Sequence, residues 1–97
     1  MKRLWSIFTD DMEHCMFTGS LQVERHHVFG ATKKRKKLSE KYGFIAPVRL
    51  DLHPNGANAG KEAKSVDTYL KTKCQEYYEE HYGTREDFRR EFGKSYL

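Results

Sequence analysis

The stretch VDTYLKTKCQEYYEEHYG, from Val66 to Gly83, limits what this chain can become more than any other. Val66, Leu70, Cys74 and Tyr77, with Tyr69, Tyr78 and His81, recur at helical spacing, and Gly83 stops the run. A second pattern follows at once. TREDFRREFG opens with Thr84 as N-cap and Asp87 at N3, a capping-box variant, and closes at Gly93. Phe88 and Phe92 form an i, i+4 pair suited to docking on a core. Upstream the period is different. In CMFTGSLQVERHHVF, Leu21, Val23 and Arg25 alternate with period 2, and Thr18-Gly19-Ser20 supplies a turn, so this segment reads as a β-hairpin. Strands followed by helices, with no repeat or Pro/Gly linker between them, predict an α+β chain folding as one domain over residues 1–97.

The intervening segments are less regular. Residues 31–38 carry no apolar period and read as an exposed basic loop. SEKYG reads as one helical turn with Ser39 as N-cap and Gly43 past its end. FIAPVRLDL is a short apolar run broken by Pro47, so an irregular or edge strand is expected. HPNGANAG is dense in turn formers, and the N-terminal residues suit a helix or a strand. The core is small for 97 residues, 37% of them hydrophobic, but thirteen aromatic side chains argue against disorder.

Composition narrows the function classes. No apolar run approaches the ~20 residues of a membrane span, so no membrane partner is expected. MKRLWSIFTDDMEH lacks the apolar core and cleavage site of a signal peptide, which points to the cytoplasm. Cys15 and Cys74 alone make no disulfide framework and read as small buried hydrophobes. The net charge is +4, yet residues 33–41, KKRKKLSEK, carry +5 by themselves. The excess is therefore one patch, Lys33, Lys34, Arg35, Lys36 and Lys37. It suits a polyanion such as nucleic acid, the plain alternative being a solvated loop.

Five histidines supply the other chemistry: His14, His26, His27, His53 and His81. Neighbours on a strand face opposite ways, so one of His26 and His27 can ligate a metal while the other faces substrate. His53 lies 27 residues after His26, where it could add a second ligand. Glu24 shares His26's strand face and could hold that ligand's other nitrogen. Two ligands are fewer than a closed structural metal site needs.

ERHHVFG, the basic segment, SEKYGFIAPVRLDLHPNG, a Lys/Gln/Tyr-rich helix and REDFRREFGKSYL together resemble the small phage-encoded HNH endonuclease-like proteins. Members carry Cys-x-x-Cys-Gly, His-His-Ile-Phe-Gly, Ser-Glu-Lys-Tyr-Gly-Leu, Pro-Leu-Cys-x-x-Cys-His and a C-terminal Phe-Gly-x-x-Tyr-Leu. The resemblance spans roughly residues 12–97, and its specificity lies in the order and spacing of the pieces. It implies a ββα-metal core with a β-hairpin, a basic loop and two C-terminal helices. By position, His26 matches a metal ligand, His27 the general base that activates water, and His53 a second ligand. Asn58 falls near a further His or Asn ligand. The family's residue that orients the base would fall near Phe44, with no replacement evident. The zinc-knuckle cysteines are lost: Cys15 remains, but Thr18, Arg49 and Leu52 stand where the others would be, and Leu52 suits replacement of zinc by apolar packing.

The implied activity is metal-dependent phosphodiester hydrolysis of nucleic acid, with DNA ahead of RNA, in the host cytoplasm if the chain is phage-encoded. Mg²⁺ or Mn²⁺ ranks first as the single divalent cofactor and Zn²⁺ or Ni²⁺ second. Glu24 and His27 would serve the chemistry, and the basic patch would contact phosphates. A homodimer is compatible. The rival is a catalytically degenerate relative kept to bind nucleic acid or a host protein.

Overall fold

A computed structural model describes residues 4–54, 56 and 59–97. The chain is α+β. Strand β1 (Val23–His27) leads to helix α1 (Lys33–Tyr42), strand β2 (Ile45–Arg49), a single 3-10 turn (Leu50–Leu52), helix α2 (Ala63–His81) and helix α3 (Arg85–Phe92). The sheet is one antiparallel pair, with His26 opposite Ala46 and His27 opposite Ile45.

This pairing corrects the expected hairpin. The turn at Thr18-Gly19-Ser20 is real: Gly19 has φ +77 and its N–H donates to the Cys15 carbonyl. Residues 15–18, however, are not the partner strand. β1 pairs instead with the segment that Pro47 had seemed to break. Pro47 opposes Arg25, and its carbonyl faces outward to accept from the Met16 N–H. It therefore occupies a position where β1 requires no donor, so the missing N–H costs nothing. The same outer edge receives the Ser6 hydroxyl on the Ile45 carbonyl. Residues 4–22 form neither helix nor strand, so the N-terminal element is also corrected.

The basic segment is a helix, not a loop. Thr32 caps α1 by accepting from the Arg35 N–H, and Gly43 ends it in the left-handed region at φ +74. A Cβ on Gly43 would lie 2.6 Å from the Trp5 ring. Lys and Arg are good helix formers, and only Ser39 and Tyr42 of α1 are buried. So little apolar surface leaves no period to read. Ser39 is not an N-cap. It sits inside the helix, fully buried, where its hydroxyl donates to the Phe29 carbonyl and accepts from the Phe29 N–H.

The C-terminal helices match the sequence pattern closely. α2 starts three residues before Val66, and in α3 the Thr84 and Asp87 capping box is reciprocal. Phe88 and Phe92 stack at 4.7 Å in a cluster with Phe29, Phe44, Tyr42 and Tyr78. Glu91 accepts from both the Tyr42 and Tyr78 hydroxyls, which ties α1 and α2 to α3. Burial and the neighbouring Glu91 carboxylate push the Tyr42 phenol up to about 12. Replacing Ser39 with Ala leaves two buried backbone groups of Phe29 without partners. A loss of about 1–3 kcal/mol in urea unfolding is expected, whereas an unchanged midpoint would rule out the clamp.

Candidate functional site

A cleft of about 430 Å³ is lined by the last residues of β1 together with His53, Pro54, Asp67, Lys71 and Tyr96. β alternation places Glu24 and His26 on one strand face, and His53, which follows the 3-10 turn, lies over both. The His26 and His53 rings meet edge-on, with centroids 4.7 Å apart. His53 Nδ1 is 2.8 Å from Glu24 Oε1. An ionised carboxylate can only accept, so Nδ1 carries the proton and His53 Nε2 keeps a lone pair. Glu24 therefore holds His53, a correction to the expected Glu24–His26 contact.

His26 is buried, 8% exposed, and its Nε2 has no hydrogen-bond partner among the described residues. Burial pushes its pKa down to about 3, and any proton on His53, the Lys71 ammonium and any proton on His27 add to the effect. The ring is neutral at physiological pH, the protonation state a metal ligand needs. An orphaned nitrogen of this kind is costly in a packed interior unless something occupies it.

His27 faces a different partner. Its Nε2 is 2.9 Å from Glu40 Oε2 on α1. Glu40 accepts the Nε2 proton, which leaves the lone pair on Nδ1. The sequence reading missed this residue, although Glu40 is the single acid in the basic segment and so stood out by charge.

The basic residues divide. Lys33, Lys34, Lys36 and Lys37 are exposed, and Lys36 also lines the cleft. Arg35 turns inward, where its guanidinium donates to the Phe92 carbonyl at the end of α3, so at least part of its role is architectural. Asp67, Lys71 and Tyr96 are cleft residues that the sequence reading also missed. Only the i, i+4 spacing of Asp67 and Lys71 hinted at a pair, and they lie 3.0 Å apart. Asn58 lies outside the described residues. Among the described residues no group of three His, Cys, Asp or Glu side chains converges to hold a metal ion.

At the knuckle positions, Cys15 is buried and Leu52 joins the core cluster. Arg49 pairs with Asp51 at 2.6 Å. Burial pushes the Cys15 thiol up, but hydrogen bonds from the Thr18 hydroxyl and from backbone N–H groups, including that of Arg49, outweigh it and bring the thiol below its usual range. The segment around Cys15 thus meets the segment around Arg49 with no second thiol present.

No protein-family model matches this chain, and neither a curated protein nor a solved structure matches it.

The lowered pKa of His26 carries a consequence for stability. In metal-free buffer the unfolded chain takes up a proton near pH 6.5 that folded His26 refuses until about pH 3. Stability therefore rises with pH through this window and falls as acid is added, by at most about 1.4 kcal/mol per pH unit. Urea midpoints at pH 7 and pH 5 should separate more for the wild type than for His26→Asn. Equal separations would contradict a neutral, desolvated His26.

Proposed function

We propose that the chain is a metal-dependent endonuclease of the HNH type acting on nucleic acid, DNA before RNA. One observation carries this reading: an orphaned, neutral His26 lies against a carboxylate-held His53, and a carboxylate-held His27 is next in the same strand. The antiparallel pair β1–β2 is followed by α2 with His53 between β2 and α2, the succession of a ββα-metal core except that α1 is inserted between the two strands. Lys33, Lys34, Lys36 and Lys37 of α1 are exposed, and Lys36 lines the cleft, where a cation supports phosphate binding.

In this reading His26 and His53 would hold a divalent ion, with positions left open for substrate and water; Asn58, the further ligand that the resemblance implies, lies outside the described residues. Such an ion supplies Lewis-acid polarisation of the phosphate and stabilises the leaving oxygen. The protein's own groups do the rest. Glu24 fixes the tautomer and orientation of His53. Glu40 does the same for His27, whose Nδ1 lone pair takes the proton from the attacking water. The lysines of α1 hold flanking phosphates without reading bases.

A second reading is favoured by the absence of a three-ligand group among the described residues. In it the same surface binds nucleic acid without cutting it.

Supercoiled plasmid incubated with the protein and Mg²⁺, Mn²⁺, Ni²⁺ or Zn²⁺ should be nicked, and EDTA should stop it. His27→Ala should lower the rate by about 10²–10⁴-fold, and Glu40→Gln by about 10–100-fold. Salt-sensitive retention of plasmid without nicking under any metal would select the second reading. Nicking that survives His27→Ala would remove His27 as the base.

A further inference from the structure

Helix α2 contributes to the cleft a cation that the basic helix does not account for. Four cations line the cleft, Arg25, Arg35, Lys36 and Lys71, against one carboxylate, Asp67. Two of the four are engaged elsewhere: Arg25 pairs with Glu13 at 2.7 Å, and Arg35 binds the Phe92 carbonyl. Lys36 stands on the α1 side. Lys71 stands alone on the α2 side, and its side chain is only 24% exposed, low for a lysine.

Lys71 is also held in place from two directions. Asp67, one turn earlier on α2, binds its ammonium at 3.0 Å, and the Tyr96 ring lies under it at 5.6 Å. Tyr96 is fixed in turn. Gln75 is fully buried and accepts from the Tyr96 N–H at 2.6 Å, while its amide nitrogen donates to the Ser95 hydroxyl and to Glu79. A buried glutamine satisfied at both ends anchors the C-terminal tail against α2. The tail thereby becomes a wall of the histidine cleft. A lysine whose stem is packed and whose head is aimed loses little rotamer entropy when it meets an anion.

A plain i, i+4 salt bridge on a solvated helix face is the competing explanation, and such a pair is worth only a few tenths of a kcal/mol. It does not account for the position of Lys71 in a cleft that His26, His27 and His53 also line and where cations outnumber carboxylates four to one.

We propose that Lys71 is a second phosphate anchor, on the α2 wall, gripping the nucleic-acid backbone on the side of the histidines away from α1. The strand then lies across the cleft between Lys36 and Lys71, with the scissile phosphate at the histidines. This rests on the nucleic-acid reading above. Lys73 supplies the control, because it carries the same charge two residues along the same helix, pairs with Glu76 at 3.3 Å, and does not line the cleft.

The test is fluorescence anisotropy with a labelled 20-bp DNA duplex in EDTA, so that no cleavage intervenes, across a series of KCl concentrations. Lys71→Ala should weaken binding and reduce the slope of log K against log salt by about 0.9, one phosphate contact. Lys71→Arg should retain the slope, and Lys73→Ala should leave it unchanged. A wild-type slope in Lys71→Ala would overturn the anchor while leaving the nucleic-acid reading intact. Equal losses in Lys71→Ala and Lys73→Ala would reduce the effect to general charge and overturn it too. Absence of any binding by the wild type would remove the nucleic-acid reading and the anchor with it.

Discussion

Phe29 is the contact on which the rest of this molecule depends. Its ring meets Phe44, Phe88, Phe92 and Tyr96, so one side chain joins the entry to β2, α3 and the C-terminal tail. Its backbone is held at both polar groups by the buried Ser39 hydroxyl of α1. Phe29 lies two residues beyond His27. Whatever fixes Phe29 therefore fixes the direction in which β1 delivers its histidines. A small core has few contacts to spare, and here the same cluster that stabilises the chain also aims the site.

The site itself is built at the expense of that core. A buried imidazole with an unpartnered nitrogen is unfavourable, and its pKa near 3 measures how strongly the surroundings reject its charge. Apolar packing would be more stable at that position. The two neighbouring histidines are treated differently, each held by one carboxylate, Glu24 for His53 and Glu40 for His27. Three imidazoles within one cleft thus have separate environments. One is desolvated and two are oriented, which is the division a metal-assisted hydrolysis needs.

Local signals made α2 and α3 legible, because a helical stripe and a capping box act within one element. Gly43 was legible as a helix end for the same reason. Non-local pairing was not. The Thr18-Gly19-Ser20 turn suggested a hairpin, yet β1 pairs with a strand beyond a ten-residue helix. Pro47 hid that strand, since its harmless placement depends on which edge faces β1. The lysine run hid α1, whose buried surface is Ser39 and Tyr42 rather than an apolar stripe. At the site, His26, His27 and His53 were singled out in advance, while their partners were not. Glu24 was assigned to the wrong histidine, because alternation shows which face a residue takes and not what crosses the chain to meet it. Glu40, Asp67, Lys71 and Tyr96 needed the fold.

The central claim is that His26 and His53 share one divalent ion while His27 stays free for proton transfer. Ring-nitrogen NMR during a Zn²⁺ titration tests it most directly, because each imidazole reports its own tautomer and ligation. The account predicts that one equivalent shifts the ring nitrogens of His26 and His53 together, while His27 keeps its Nε2–H tautomer. Shifts confined to His14 or His81, or no saturable shift at His26, would contradict it.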